Sequence, residues 1–145
     1  MISYATDDDA SFRPPILFVH GSYHGAWCWE EKFMPYFAEK GYEVHALSLR
    51  AQGKSDRGDL KYAGTLKSHV DDLASVIGSL ERPPIVVGHS FGGLLLEGYC
   101  SLEGVEHRPR LAGLALLASV PPSGNKDIIA RITKDSLVRS FKITW

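Results

Sequence analysis

Ser90 has neighbours that are typical of a catalytic serine. It is the central residue of the pattern Gly-x-Ser-x-Gly, which runs from Gly88 to Gly92. The apolar run before it predicts a strand and the residues after it predict a helix, which is the context this pattern requires. Side chains two residues from the serine would collide where strand and helix converge, so glycine fits there. We therefore predict that Ser90 stands on a tight turn above a sheet, where its hydroxyl could act as a nucleophile.

A second segment, His20–Gly25, also follows a predicted strand and precedes a predicted helix. A backbone N–H group of this loop, with Ser22 as the candidate, could act together with the N–H group of Phe91. Two such donors would stabilise the oxyanion of a tetrahedral intermediate. The positive end of the helix that follows Ser90 also favours developing negative charge. These residues predict nucleophilic catalysis at a carbonyl group.

His20 and His24 are four residues apart, which raises the alternative of a metal site. They lie in a loop rather than on one helix face, and no third ligand is suggested. We therefore expect no metal and no cofactor. We interpret His20 as a histidine satisfied by backbone hydrogen bonds at the end of a strand.

The elements that must position these residues alternate between strand and helix. The apolar runs predict four strands: Pro15–His20, Glu43–Leu49, Ile85–Gly88 and Leu111–Ala118. The periodic and polar stretches predict four helices: Ala26–Lys40, Thr65–Leu80, Ser90–Glu103 and Lys126–Arg139. This alternation predicts an α/β fold with three layers, in which a mainly parallel sheet lies between helices.

Local signals add detail to these elements. Pro35 falls inside the first helix and is expected to kink it. Thr65 is a candidate cap for the second helix. The polar, glycine-rich segment Arg50–Gly64 is expected to be a loop. The run Leu111–Ala118 does not alternate, so we expect a strand buried on both faces.

Composition and charge exclude several classes of function. The 145 residues suit one domain, and the formal net charge of −1 leaves no basic face for nucleic acid. Cys28 and Cys100 make no disulfide framework and indicate a reducing compartment. The N-terminus has no targeting pattern, and the longest apolar run, Leu111–Val120, is about half the length that spans a bilayer. We expect a soluble, cytoplasmic protein without a transmembrane segment, unless Met1 is an internal start.

Three motifs together resemble the α/β-hydrolase superfamily. His20–Trp29 (HGSYHGAWCW) is similar to the loop of small plant esterases, hydroxynitrile lyases and lipase-like hydrolases. Gly88–Gly93 (GHSFGG) matches the nucleophile elbow of the family. Ser48–Ser55 (SLRAQGKS) resembles the family's Leu-Arg-Gly-His-Gly-x-Ser loop and departs from it at Ala51 and Gln52. We expect little consequence from this departure, because that loop is mainly structural.

The resemblance implies a partial α/β-hydrolase fold and a serine hydrolase that acts on carboxylic esters or lipids. Ser90 would be the nucleophile, and the N–H groups of Ser22 and Phe91 would form the oxyanion hole, with Gly88, His89 and Gly92 in the elbow. The chain would divide into an N-terminal segment, a partial core and the start of a cap: 1–14, 15–124 and 125–145. The expected strand order, with one residue named per strand, is Val44, Phe18, Val86, Leu114.

The general base that Ser90 needs is not evident in the sequence. In this family the triad follows the order serine, acid, histidine, and only His107 among the six histidines follows Ser90. The elbow helix should carry His107 away from Ser90, and the side chain of His89 should point away from it. Some members place the acid after the sixth strand, where this chain has Ser119–Pro121. We therefore expect a truncated chain that ends after about the sixth strand without the triad acid and histidine.

Other interpretations of Ser90 stay open. It could be a buried turn serine, or a hydrogen-bonding group in a non-catalytic binding module. It could also serve hydroxynitrile-lyase-type chemistry in a longer parent protein. The expected partners are a small ester or lipid substrate and, through the exposed apolar edge of the strand Leu111–Ala118, a second copy of the chain.

Overall fold

The computed structural model describes residues 1–4, 13–56, 63–103, 105, 108–124, 126–127, 129–131 and 133–134. Within them, a sheet of five strands carries helices on both faces, which confirms the three-layer, mainly parallel α/β fold. The strands are β1 (Ile2–Tyr4), β2 (Ile16–Val19), β3 (Val44–Leu47), β4 (Ile85–His89) and β5 (Gly113–Leu117). The helices are α1 (Trp27–Glu30), α2 (Phe33–Glu39), α3 (Leu66–Gly78) and α4 (Phe91–Ser101).

The strand order across the sheet is β1-β3-β2-β4-β5. β2 pairs in parallel with β3 and β4, and β4 pairs in parallel with β5, so the predicted order of four strands is confirmed. β1 was not predicted. It pairs antiparallel with β3, with Ile2 opposite Ala46, and its three residues are too short a run to indicate a strand. Because β2 and β4 are parallel neighbours, His20 and Ser90 emerge at the same edge of the sheet.

The prediction of one kinked helix over Ala26–Lys40 is wrong. The segment forms two helices, α1 and α2, which are separated by Glu31 and Lys32. Pro35 is the third residue of α2, in the first turn, where a backbone N–H group has no partner within the helix. In one continuous helix the proline ring would clash with the carbonyl group four residues earlier, at Glu31. The break at this position removes that clash.

Thr65 caps α3, as predicted. Its hydroxyl accepts a hydrogen bond from the N–H group of Ser68 (3.2 Å), and the hydroxyl of Ser68 accepts one from the N–H group of Thr65 (2.8 Å). The helix ends at Gly78, slightly earlier than predicted. Arg50, in the loop after β3, donates two hydrogen bonds of 2.6 Å to the carboxylate of Asp72. These contacts hold α3 against the edge of the sheet that carries Ser90.

The central strand β2 contributes to both apolar cores. Leu17 and Val19 pack on the side of α3 and α4, whereas Ile16 and Phe18 pack on the side of α1 and α2. None of the four is more than 4% exposed, and burial of each contributes about 1.5–3 kcal/mol. The ring of Phe18 stacks on Trp29 at 4.9 Å. Both cores therefore hold in place the strand from which the His20 loop begins.

The prediction that the strand at Leu111–Ala118 is buried on both faces is wrong. β5 is the last strand of the described sheet, and Leu114, Leu116 and Leu117 are 48%, 41% and 38% exposed. A continuous apolar run shows that both faces of a strand could be buried. Whether they are buried depends on other elements packing against them. No described strand pairs with the outer edge of β5, so its leucines contact solvent.

Some predicted segments fall partly outside the described residues. In the loop Arg50–Gly64 this applies to residues 57–62, and in the helix Lys126–Arg139 it applies to residues 128, 132 and 135–139. Residues 126–127, 129–131 and 133–134 are helical. Among the described helices, none is long and apolar enough to cross a bilayer.

Candidate active site

Ser90 lies between β4 and α4 in a backbone conformation that few residues other than glycine adopt. Its φ is 54° and its ψ is −115°. A Cβ atom on Gly88 would lie 2.6 Å from the carbonyl oxygen of Gly92, and one on Gly92 would lie 2.5 Å from the carbonyl oxygen of Val19. Such approaches exclude any side chain at these two positions. The turn therefore has the geometry of a nucleophile elbow, and the chemical role of Ser90 stays a prediction.

The backbone of Ser90 is held by hydrogen bonds from two directions. Its N–H group donates to the carbonyl oxygen of Leu117 at the end of β5 (3.0 Å). Its carbonyl oxygen accepts from the N–H groups of Gly93 (3.0 Å) and Val120 (3.1 Å). A non-glycine residue at such a φ persists only where its surroundings hold it there. Here the start of α4 and the segment after β5 do so.

The loop that begins at His20 lies directly against Ser90. A Cβ atom on Gly21 would lie 3.0 Å from Cβ of Ser90 and 3.2 Å from Nδ1 of His89. The residue after Gly21 is Ser22, and the residue after Ser90 is Phe91. The structure thus brings the loop and the elbow together. The N–H group of Phe91 is the first in α4 and, as in any helix, has no partner within it.

Gln52 helps to fix the conformation of this loop, although we expected little consequence from its departure from the family motif. Its Oε1 accepts a hydrogen bond from the N–H group of Tyr23 (2.9 Å). Tyr23 has a φ of 65°, an uncommon value for a non-glycine residue. The ring of His24 is hydrogen-bonded through Nδ1 to the carbonyl oxygen of Ser22 (2.9 Å). One of the two residues at which the chain departs from the family motif therefore supports the predicted oxyanion loop.

His20 is a structural histidine, as interpreted from the sequence. Its ring is fully buried, its Nδ1 donates to the carbonyl oxygen of Gly21 (2.6 Å), and its Nε2 accepts from the N–H group of Leu49 (3.0 Å). Burial lowers the pKa of His20 below its usual 6.5, against a smaller opposing effect of the Gly21 hydrogen bond. The neutral ring thereby joins the ends of β2 and β3.

A cleft of about 530 Å³ adjoins the predicted oxyanion hole. Ser22 and Phe91 both line it, together with Tyr23, Gln52 and His69. The remaining lining residues are Ala51, Ala63, Gly64, Thr65 and Leu66. Both residues proposed to donate to an oxyanion thus face one space of a size that suits small ligands.

His69, on α3, has a position that the motifs did not indicate. It is 3% exposed, and its ring meets that of Phe91 edge to face, with centroids 5.5 Å apart. Among the described residues, its Nδ1 has no hydrogen-bond partner. Helical spacing could have found it, since it lies four residues before Leu73 on the apolar face of α3.

Comparison with known proteins agrees with this geometry. The model of a family described as the alpha/beta hydrolase family matches residues 16–145. The chain belongs to the alpha/beta hydrolase family. It therefore has the fold in which an elbow serine and a neighbouring loop form the active site.

Among curated relatives, norfluorocurarine synthase 1 of Strychnos nux-vomica is 35% identical over 117 residues, which are 79% of this chain and 41% of that protein. Methylesterase 2 of Arabidopsis thaliana is 38% identical over 83 residues, 56% of this chain and 31% of that protein. The hydrolase-family chain thus spans less than half the length of these relatives.

Two solved structures illustrate the shared fold. The bromoperoxidase of Bacillus anthracis superposes with a TM-score of 0.64 at 28% identity, over 75% of this chain and 38% of that one. Tomato methylketone synthase I, in complex with 2-tridecanone, superposes with a TM-score of 0.58 at 25% identity, over 75% of this chain and 41% of that one.

None of the described histidines is hydrogen-bonded to the hydroxyl of Ser90. His45 is hydrogen-bonded to Ser3 (2.8 Å) and to Glu43 (2.7 Å), and the ring of His89 lies 6.4 Å from that of Trp29. Among the described residues, none donates to or accepts from the hydroxyl of Ser90, and no cluster of metal-binding side chains occurs. His107 lies outside the described residues.

We expect S90G to be more stable than S90A by about 1 kcal/mol. A non-glycine residue in such a conformation destabilises the folded state by about 1–3 kcal/mol. Glycine avoids this strain, but its greater freedom in the unfolded chain lowers stability by about 0.5–1 kcal/mol. Urea unfolding measures the difference. At Ser119, where φ is not positive, the matched pair S119G and S119A should show the reverse order. Equal stability of S90G and S90A would contradict strain at the elbow.

We expect the free energy of unfolding to fall as the pH drops below about 6.5, because His20 binds a proton more readily in the unfolded chain than in the folded one. One such group contributes at most about 1.4 kcal/mol per pH unit. H20Q keeps an acceptor for the N–H group of Leu49 but does not titrate, so its stability should change less between about pH 7 and pH 5. An unchanged slope in H20Q would show that His20 is not responsible.

Proposed function

We propose that this chain carries the nucleophile and the oxyanion hole of a carboxyl-ester hydrolase. The backbone conformation of Ser90 is the observation that supports this most directly. In the proposed reaction, Oγ of Ser90 bonds to the ester carbonyl carbon, and its proton passes to a general base. The N–H groups of Ser22 and Phe91 donate to the resulting oxyanion. The alcohol then leaves with a proton, and water releases the carboxylic acid from the acyl-enzyme.

The substrate class we propose is a carboxylic ester or lipid of small size. The name of methylesterase 2 of Arabidopsis thaliana supports an ester as the substrate. The mixed polar and apolar lining of the cleft beside Ser22 and Phe91 suits a small organic molecule. The two free thiols, Cys28 and Cys100, support the further proposal that the protein is cytoplasmic.

We also propose, as an alternative, that the elbow serves a reaction other than hydrolysis, such as the lyase chemistry that the loop motif resembles. One observation favours this alternative: a relative that matches 79% of this chain is named a synthase. Release of a product that contains no added water, by a longer protein carrying this segment, would support it over ester hydrolysis.

The ester proposal predicts that a fluorophosphonate probe labels the 145-residue chain slowly, and at Ser90. No described histidine is bonded to its hydroxyl, and the oxyanion hole without a complete triad leaves about 10³–10⁴-fold acceleration over water. We expect p-nitrophenyl acetate hydrolysis to be equally modest. Both should be lost in S90A and kept in the control S119A, which removes the same hydroxyl nearby.

Peptide mapping of the labelled chain decides between the outcomes. Label on another residue, or none, would refute the role of Ser90 as nucleophile. Rapid labelling that S90A abolishes would instead show that a base reaches Ser90 in this chain.

We also propose that the chain self-associates through β5. No strand of the described sheet covers the outer edge of β5, and its leucines are exposed; both features favour strand pairing between chains. Sedimentation velocity should show association that rises with concentration. The double variant L114K/L116K places charges on one face of β5 and should shift the chain towards monomer, whereas I129K, at an exposed position outside the sheet, should not. A wild-type chain that stays monomeric at high concentration would contradict this proposal.

A further inference from the structure

The side-chain amide of Gln52 is engaged at one end only. Its Oε1 accepts a hydrogen bond from the N–H group of Tyr23 (2.9 Å). A backbone N–H group can only donate, so the atom of Gln52 that faces Tyr23 must be the amide oxygen and not the amide nitrogen. The orientation of the amide is thereby fixed, and its other end is Nε2, which carries two N–H donors.

Nε2 of Gln52 has no hydrogen-bond partner among the described residues. It is also accessible, because the buried side-chain nitrogen and oxygen atoms that lack a partner belong, within the described part of the chain, to Trp29, His69 and Glu97. Gln52 lines the cleft of about 530 Å³ beside Ser22, and that volume falls within the range of small-ligand sites. The cleft therefore offers a hydrogen-bond donor whose position is already fixed.

The other described groups that line the cleft are uncharged. They include no acidic residue, lysine or arginine, and burial is the main cause that lowers the pKa of His69 below its usual 6.5. The rings of His69 and Phe91 meet edge to face and supply aromatic surface. The hydroxyl groups of Ser22 and Tyr23 can donate or accept, so they do not discriminate between ligands as Nε2 does. These groups suit an uncharged ligand that brings an acceptor.

We propose that Gln52 selects substrates that carry an uncharged hydrogen-bond acceptor, such as a second carbonyl oxygen, and that its Nε2 donates to this acceptor. Tyr23 directly follows Ser22, so the amide of Gln52 lies beside the loop proposed to bind the oxyanion. The acceptor belongs to the substituent next to the reacting ester. This role in substrate selection rests on the proposed function, but binding at Nε2 does not need the hydroxyl of Ser90, so the two proposals can fail separately.

Acetophenone and α-methylstyrene are matched probes, because they share a phenyl ring and a methyl group and differ in having a C=O or a C=CH₂ group. Titration of the ¹⁵N-labelled chain measures the affinity of each. Gln52 is the one glutamine of the sequence, so the pair of side-chain amide resonances that is lost in Q52M belongs to it. Acetophenone should move one of these two proton resonances downfield, as a donated hydrogen bond does, whereas α-methylstyrene should not.

Two substitutions separate recognition by Nε2 from support of the loop by Oε1. Q52E keeps an oxygen that accepts from Tyr23 but replaces the N–H donors by a second acceptor, whereas Q52M removes both functions. The affinity for acetophenone relative to α-methylstyrene should fall about 3- to 10-fold in Q52M, as expected for one net hydrogen bond, and at least as far in Q52E. The control K54E changes the charge at an exposed residue of a different cleft and should leave this ratio unchanged.

A role limited to holding the loop predicts that Q52E keeps the wild-type ratio of affinities while Q52M loses it. That result, an unmoved side-chain resonance of Gln52, or the absence of acetophenone binding would overturn the proposal. Fluorophosphonate labelling at Ser90 is measured separately. Its absence, with a ratio that still depends on Gln52, would affect only the hydrolase proposal.

Discussion

The backbone of Ser90 is the constraint on which the site depends. An L-amino acid at a φ of 54° and a ψ of −115° is strained, and it keeps this conformation only where other contacts prevent relaxation. Those contacts come from three places. Gly88 and Gly92 let strand and helix converge, and α4 begins with N–H groups that bond to the carbonyl oxygen of Ser90. The last residue of β5 accepts from the N–H group of Ser90, and the segment after β5 donates to its carbonyl oxygen.

The loop His20–Gly25, which is predicted to help bind an oxyanion, depends on a second set of contacts that come from the segment after the neighbouring strand β3. The buried ring of His20 bonds to Gly21 on one side and to Leu49 on the other, and Gln52 bonds to Tyr23. The segment after β3 thus positions the loop after β2. The position at which the family motif usually has a histidine is filled by Gln52, whose amide oxygen accepts a backbone hydrogen bond without titrating.

The sequence predicts best the features that local sterics and periodicity determine. The tight strand–helix turn at Ser90, the Thr65 cap and the order of four parallel strands follow from residue types at fixed spacing, and the structure has all three. Most of the features that were missed depend on distant parts of the chain, and one depends on a local clash. β1 is too short to indicate a strand and exists through its pairing with β3. The break before Pro35 avoids a clash of the proline ring with an earlier carbonyl group, which the helical periodicity of the aromatic residues does not indicate. The exposure of β5 follows from the absence of a described neighbour. Helical spacing places His69 on the apolar face of α3, but its contact with Phe91 is visible only in the structure.

The hydrogen bond from the N–H group of Ser90 to Leu117 has a further consequence. Leu117 ends β5, the outermost strand of the described sheet, and outer strands open more readily than central ones. The amide proton of Ser90 can exchange with solvent only when that bond opens, so the local stability of the elbow is limited by that of β5. A strand that paired with the outer edge of β5, where no described strand lies, would therefore also slow hydrogen exchange at the amide of Ser90.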